Sequence, residues 1–172
     1  LAALFAAPVF ADEAAEFVNF SWNSGASRFR NASTNDVIKV IKHRRSIRAY
    51  KPEQIMERDL LAIIESGLYA PSAMNRQPWH ITVIQNQGFL EELTALFKDE
   101  IMKRGGEAAK VAEEDTSFRI FHGAPCAVIV SGDTADEMAA VSCAAAVENM
   151  LIAAESLGLG TCWMQSNMIL FE

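Results

Sequence analysis

The stretch from Ala135 to Gly160, ADEMAAVSCAAAVENMLIAAESLGLG, contains a helical segment, residues 136–157, that is apolar on almost every side. A helix of this kind is buried on most of its sides. Three polar residues inside it disfavour a membrane span: Glu148, Asn149 and Glu155. Because its many alanines permit close packing, we expect this helix either in a hydrophobic core or across a dimer interface.

Shorter elements precede this helix. Hydrophobic spacing and start signals predict helices that begin near residues 36, 57, 89 and 107, the second ending near residue 69 and the last near residue 121. Short β-branched runs predict strands over residues 79–85 and 126–131, the second of them buried. The predicted elements do not alternate strictly between strand and helix along the chain, and no GxGxxG motif follows a predicted strand. The pattern therefore favours an α+β fold over a doubly wound dinucleotide-binding fold.

Bulk composition excludes some classes of function. The 172 residues suffice for one domain with a hydrophobic core, and the formal net charge of −7 argues against nucleic-acid binding. Three cysteines, Cys126, Cys143 and Cys162, lie far apart, without a CxxC or a Cys/His cluster. We therefore expect buried, unreactive thiols and no metal site.

The first eleven residues, LAALFAAPVFA, form an apolar run too short to span a membrane. Small residues before Asp12 suit signal-peptidase cleavage, so residues 1–11 are predicted to be part of a signal peptide. A stray apolar start on a fragment is the alternative. Residues 12–35 are predicted to be a linker or arm, and residues 36–172 the functional domain. A signal peptide implies export, for example to a periplasm; without it the protein would be cytoplasmic.

The most basic part of this acidic chain is residues 39–51, KVIKHRRSIRAYK, which holds six of its fifteen Lys and Arg residues. Four polar residues follow the short helix predicted there: Arg44, Arg45, Ser46 and Arg48. Arginine suits phosphate because its planar fork makes paired, charge-assisted hydrogen bonds. The segment therefore indicates a phosphate site, whereas the alternative is the solvated face that basic clusters usually form.

A second polar segment is APSAMNRQPWH, residues 70–80. If Pro71 and Pro78 keep it extended, Asn75 and Gln77 point to one side and Arg76 to the other. Two amides, each both donor and acceptor, match the edge of a planar heterocycle, and the Ser72 hydroxyl lies nearby in the sequence. The alternative is a loop whose amides satisfy their own backbone.

A third segment, LGLGTCWMQS, follows the long helix at residues 157–166. Gly158 and Gly160 would let the backbone approach another group closely, although a plain glycine helix cap is the alternative. One phosphorylated heterocycle would use all three segments.

These three segments together resemble the FMN-dependent nitroreductase family, in the order and spacing of RRSIRAY, APSAMNRQPWH and AAAVENMLIAAESLGLGTCW. The resemblance runs from about Val37 to the end of the chain. It implies an α+β fold with a central, mostly antiparallel sheet flanked by helices. It also implies a homodimer with a long buried interface helix and FMN at the interface.

Residue roles follow from the same resemblance. The phosphate and ribityl chain would be held by Arg44, Arg45, Ser46 and Arg48. The flavin ring would be lined, from the partner subunit, by Pro71, Ser72, Ala73, Met74, Asn75 and Gln77. Gln165 and Ser166 fall where the family places a backbone N–H at flavin N5, although many members have glycine in place of Ser166. Three histidines are expected to be structural: His43, His80 and His122.

The chemistry that the resemblance implies is carried by the flavin. A hydride passes from NAD(P)H to N5 and then to a nitroaromatic or quinone in a ping-pong cycle, so no catalytic side chain and no metal are expected. Other family branches dehalogenate substrates or break down flavin, and differ in lid segments, here residues 98–122. A flavin-binding protein without turnover is a further alternative. Family members continue past Glu172, so the C-terminal part is expected to be missing.

Overall fold

The computed structural model describes residues 33–114 and 119–164. The chain divides into two compact units, residues 1–34 and 35–172, and only the second lies largely within the described residues. The predicted signal segment and all but the end of the predicted arm lie outside the described residues. Those two assignments stay predictions.

The described part mixes helices with a small sheet. Its elements in chain order are α1 (Asp36–His43), α2 (Glu57–Leu68), a 3₁₀ turn (Ala73–Asn75), β1 (Trp79–Ile84), α3 (Gln87–Arg104), α4 (Glu107–Glu114), β2 (Ala127–Gly132) and α5 (Ala139–Ser156). The α+β composition expected from the sequence is confirmed.

Asparagine side chains start two of these helices. Asn35 Oδ1 accepts a hydrogen bond from the Ile38 amide at 2.9 Å, and Asn86 Oδ1 accepts one from the Phe89 amide at 3.0 Å. Each bond satisfies one of the amides that a helix start leaves without a partner. α3 ends at Gly105, whose φ of 71° is readily adopted by glycine.

The helix predicted over residues 107–121 is too long. α4 ends at Glu114, and residues 120–123 form a turn. Ile120 in this turn is buried in a cluster with Phe97, Ile101 and two alanines of α4. Its apolar character therefore reflects burial rather than continuation of the helix.

The two strands pair antiparallel, from Trp79 opposite Gly132 to Ile84 opposite Ala127. β2 was predicted to be buried, but its first four residues are half-buried and its last two are exposed. The sheet has two strands within the described residues, so the outer edge of β2 pairs with no further strand there.

α5 packs closely on α2 and β2 because glycines face it. A Cβ added at Gly67 would lie 2.9 Å from Met150 Cγ, and one at Gly132 would lie 2.8 Å from the Ala139 Cβ. Contacts this short exclude larger side chains at both positions unless the neighbours shift. The two glycines thus set the distance between the central helix and the rest of the core.

α5 is buried along one face and half-buried at most of its other positions within this single chain. Its buried residues are Ala139, Ser142, Cys143, Ala146, Met150, Leu151 and Ala154. This agrees with the predicted burial on most sides, and the exposed positions are Ala140, Ser156 and Val141, the last of which is 58% exposed. By length and composition alone α5 could also cross a membrane, a test that the core helix of a soluble protein passes as well.

Candidate functional site

The first and third polar segments lie side by side. Ser46 forms an isolated parallel bridge with Thr161, and the Ile47 amide donates a 2.8 Å hydrogen bond to the Thr161 carbonyl. These main-chain contacts join the basic segment after α1 to the backbone that follows α5. Two regions more than a hundred residues apart thereby form one surface.

Glycine is required at the two positions of the third segment for different structural reasons. Gly158 has a φ of 75° just after α5, so it ends the helix as the alternative interpretation held. At Gly160 an added Cβ would lie 2.9 Å from Ile47 Cγ2 and 3.0 Å from Ile47 Cβ. The close approach expected at this position is therefore to the Ile47 side chain.

The arginines of the basic segment fall into two groups. Arg45 turns back onto the end of α1, where Nη1 donates to the carbonyls of Lys42 and Arg44 at 2.6 and 2.8 Å. A cation at this end of a helix is favourable, so this guanidinium serves the helix. Arg44 is half-buried and Arg48 is exposed, and neither side chain has a hydrogen bond or ion pair within residues 33–114 and 119–164. Both are thus available to an anion.

Tyr50 braces the same segment. Its hydroxyl donates a 2.5 Å hydrogen bond to the Ile47 carbonyl. Burial raises the pKa of Tyr50 above its ordinary value, and the nearby Cys162 raises this pKa further while Arg48 opposes the change.

The second segment is not extended, so that prediction is wrong. Residues 73–75 form a 3₁₀ turn closed by hydrogen bonds from the Asn75 amide to the Ser72 carbonyl (3.0 Å) and from the Arg76 amide to the Ala73 carbonyl (3.1 Å). Met74, Asn75 and Gln77 have φ values of 52°, 54° and 49°. Left-handed backbone at three non-glycine residues in four positions is uncommon.

The amide pair nevertheless faces one side. Gln77 Nε2 lies 3.4 Å from Asn75 Oδ1, in a long hydrogen bond between two exposed side chains. The turn brings them together, rather than the alternation of an extended chain. The Ser72 hydroxyl accepts a 3.0 Å hydrogen bond from the Gln77 amide, so this serine braces the turn. The alternative in which the amides satisfy their own backbone is not observed for either side chain.

Arg76 points away from the amide pair, toward the start of α5. Its Nη1 lies 3.6 Å from Asp136 Oδ1. Next to it, the Asp133 amide donates a 3.0 Å hydrogen bond to the Pro78 carbonyl. The turn is therefore attached to the residues before α5 on one side, while Asn75 and Gln77 stay exposed. Pro71 and Met74 are also exposed, and Ala73 is half-buried.

The histidine at the end of α1 and the cysteines contribute structural contacts. His43 Nδ1 lies 2.5 Å from Glu155 Oε1 and so links the ends of α1 and α5. Cys143 is buried as predicted, whereas Cys126 and Cys162 are only half-buried. Burial raises the thiol pKa of Cys126 and Cys143. Within the described residues, no cluster of three or more His, Cys, Asp or Glu side chains could hold a metal.

Two features of the site could not be read from the sequence, and two predicted residues cannot be placed. The contacts of Ile47 with Thr161 and Gly160 join distant segments, and no local pattern signals them. No hydrogen bond or ion pair joins residues 44–48 to residues 71–78 among those described. Gln165 and Ser166 lie outside the described residues.

Comparison with known proteins identifies the family. The model of the nitroreductase family matches residues 41–170. A crystal structure of a nitroreductase with bound FMN from Bacteroides fragilis is 41% identical, with a TM-score of 0.74, and the match covers 77% of this chain and 71% of that one.

Two archaeal relatives have the same description, "Putative NADH dehydrogenase/NAD(P)H nitroreductase". The protein from Archaeoglobus fulgidus is 33% identical over 75% of this chain, and the one from Methanothermobacter thermautotrophicus is 33% identical over 76% of it. The chain spans 67% and 61% of their lengths. The α+β architecture, the family match and the structural similarity agree, and the chain belongs to the nitroreductase family.

Proposed function

We propose that the protein is an FMN-dependent oxidoreductase that transfers electrons from NAD(P)H to nitroaromatic or quinone-type acceptors. The observation that carries this proposal is the surface where Arg44 and Arg48, without anionic partners among the described residues, lie beside the Ser46–Thr161 bridge. The FMN bound to the related Bacteroides fragilis nitroreductase supports the identity of the ligand.

The basic segment fits a phosphate group. Arg44 is half-buried, and a charged group withdrawn from water is costly unless it is paired. A phosphate would satisfy this guanidinium through paired, charge-assisted hydrogen bonds, and Arg48 adds a second cation four residues later. Arg45 adds a third positive charge near the phosphate site. Its hydrogen bonds to the carbonyls at the end of α1 keep the basic segment in place.

The turn at residues 73–77 fits the edge of the flavin ring. Asn75 and Gln77 present a donor and an acceptor on one exposed side, and their mutual hydrogen bond is long at 3.4 Å. A weak bond of this kind is easily exchanged for bonds to a ligand. The ring edge alternates donors and acceptors, so two amides can match it in either orientation.

The proposed active unit is a homodimer. The phosphate segment and the turn have no hydrogen bond or ion pair to each other among the described residues. The start of α5 also keeps exposed apolar surface, with Val141 58% exposed and Met138, just before the helix, 47% exposed. Pairing two chains along α5 would cover this surface and let the turn of one subunit complete the site whose phosphate the other subunit holds.

In this proposal the chain supplies binding and orientation rather than acid–base chemistry. Bound FMN would supply the redox chemistry, accepting a hydride from NAD(P)H and delivering electrons to the second substrate. The arginines fix the phosphate end, and the amides fix the ring edge. The backbone near Gln165 and Ser166 is proposed, from the family resemblance, to donate a hydrogen bond at the reactive edge of the ring.

Absorbance spectroscopy of the purified full-length protein tests the proposal. We expect a flavin spectrum that NADH or NADPH bleaches under anaerobic conditions and that a nitroaromatic or quinone restores. A flavin spectrum that neither nucleotide bleaches would favour the flavin-binding protein without turnover. A colourless protein that takes up no added FMN would contradict the proposal.

A further inference from the structure

We infer that Arg76 is a positioning residue, which holds the turn at residues 73–77 in its ligand-ready shape through its ion pair with Asp136. The inference rests on the proposed function in one respect, namely that this turn contacts FMN. The family resemblance assigns roles to the amides on both sides of Arg76, and the structure assigns this separate role to the arginine between them.

The turn needs an external hold because its backbone is strained. Met74, Asn75 and Gln77 all have φ values near 50°. Asparagine tolerates this region better than most residues, but methionine and glutamine do not. Such conformations persist only where the surroundings enforce them.

Most bonds of the turn are internal and cannot anchor it. The Asn75 and Arg76 amides donate to the Ser72 and Ala73 carbonyls, and the Gln77 amide donates to the Ser72 hydroxyl. These bonds would move with the turn if it swung away as a unit. Among the described residues, the Arg76 guanidinium makes the side-chain link from residues 73–77 to another part of the fold.

Asp136 is a well-fixed anchor. Its side chain is 9% exposed, and the same Oδ1 that faces Arg76 accepts a 2.9 Å hydrogen bond from the Met138 amide. Arg76 is 52% exposed and also lies 3.8 Å from Met74 Sδ through its Nη2. The guanidinium thus lies between the strained residue Met74 and a carboxylate held at the start of α5.

The effect of Asp136→Asn on FMN binding distinguishes the positioning role of Arg76 from a purely electrostatic one. If Arg76 only added positive charge near the FMN phosphate, then Asp136→Asn, which removes a negative charge, would tighten FMN binding. If Arg76 positions the turn, Asp136→Asn loosens the turn and weakens binding. Asparagine keeps an oxygen that can accept the Met138 amide, so the start of α5 is preserved.

The first measurement uses the full-length protein without FMN and is independent of the proposed function. Hydrogen exchange is followed at the amides of Asn75, Arg76 and Gln77 in wild type, Arg76→Met and Asp136→Asn. We expect both variants to speed exchange at these amides while the amides of α2 are unchanged. Unchanged exchange within the turn in both variants would overturn the inference, whether or not the protein binds FMN.

The second measurement is FMN affinity, from quenching of flavin fluorescence. We expect Arg76→Met and Asp136→Asn each to weaken binding about two- to fivefold, the range for a partly exposed ion pair, and the double variant to be no weaker than either one. Tighter binding by Asp136→Asn would overturn the positioning role. Absence of FMN binding by the wild type would instead contradict the proposed function, and the exchange measurement would still decide the inference.

Arg58→Ala is the matched control for charge. Arg58 is 78% exposed, and it pairs with Asp59 of its own helix at 3.4 Å. The substitution removes the same charge without touching the turn, so we expect the wild-type exchange pattern and FMN affinity. A weakening equal to that of Arg76→Met would show that net charge, rather than position, explains the effect.

Discussion

The basic segment at residues 44–48 and the turn at residues 73–77 are stabilised in opposite ways. The basic segment is fixed by long-range main-chain contacts, since Ser46 and Ile47 both contact Thr161. The turn is closed by local hydrogen bonds between neighbours and contains three left-handed residues. In the basic segment Arg45 is bonded to the carbonyls at the end of α1, whereas Arg44 and Arg48 are available to a ligand. In the turn the backbone is strained, which brings two amides to one side.

The difference indicates how each region contributes to ligand binding. A phosphate needs charge at a fixed point, and a segment joined to the core backbone provides it. A ring edge needs donors and acceptors in a defined direction, and the turn sets this direction through unusual φ values. Changes to the basic segment should therefore affect affinity for phosphate, whereas changes to the turn should affect recognition of the ring.

The largest effect is expected from Arg44→Ala. Loss of a charge-assisted hydrogen bond should weaken FMN binding by about 1.5–3 kcal/mol, measured by fluorescence titration. Lys51→Ala, which removes another exposed cation of the same basic run, is the control and should leave the affinity near that of wild type. Equal losses in both variants would mean that the run acts only as a diffuse positive field.

Gly160→Ala should disturb the basic segment from a distance. The new Cβ would lie within 3.0 Å of Ile47, so we expect the free energy of unfolding to fall by about 1–3 kcal/mol. Chemical denaturation measures this loss. The Ile47→Ala change removes the Cγ atoms that crowd this Cβ but keeps the Ile47 Cβ, so the double variant Gly160→Ala/Ile47→Ala should lose less stability than the sum of the two single losses. Strictly additive losses would show that Ile47 is not what requires glycine at position 160.

A smaller effect is expected from Tyr50→Phe, which deletes the hydrogen bond to the Ile47 carbonyl. At neutral pH we expect a loss of about 0.5–1 kcal/mol in the free energy of unfolding. The raised pKa of Tyr50 means that the folded state favours the neutral phenol. Its contribution is therefore complete below about pH 10, the ordinary tyrosine value, and is lost as the pH rises through the higher folded-state pKa.

The stability loss of this variant has a control at another tyrosine. Tyr69 is 80% exposed and Tyr50 is half-buried, so Tyr69→Phe should leave the free energy of unfolding at neutral pH near that of wild type. Wild type should lose its advantage over Tyr50→Phe above about pH 10. If wild type instead stayed more stable than Tyr50→Phe well above that pH, the raised pKa of Tyr50 in the folded state would be contradicted.

Local signals in the sequence account for much of the fold. Asn35 and Gly105 were identifiable as helix boundaries because capping depends on a few neighbouring residues. The cap at Asn86 was missed, since the start of α3 was predicted near residue 89. The end of α4 and the exposure of Val141 on α5 were not identifiable. They depend on which apolar residues meet in three dimensions, as Ile120 does with Phe97.

The candidate site was likewise predictable from the sequence only in part. The chemistry of the arginines and amides was readable from residue types, but the use of Arg45 as a cap for α1 depends on how its side chain folds back. The amide pair was correctly placed on one side for the wrong reason. Nothing in the sequence signals left-handed backbone at Met74 and Gln77, since neither residue favours it. The partner of Gly160 is likewise set by a distant residue, Ile47.

The most direct test of the account compares FMN with riboflavin, which lacks the phosphate, in wild type, Arg44→Ala and Gln77→Ala. We expect wild type to bind FMN more tightly than riboflavin and Arg44→Ala to lose most of this preference. Gln77→Ala should weaken both ligands by the same factor and keep the preference. If Arg44→Ala instead weakened FMN and riboflavin equally, the basic segment would not be the phosphate site, and the division of roles between the two regions would be wrong.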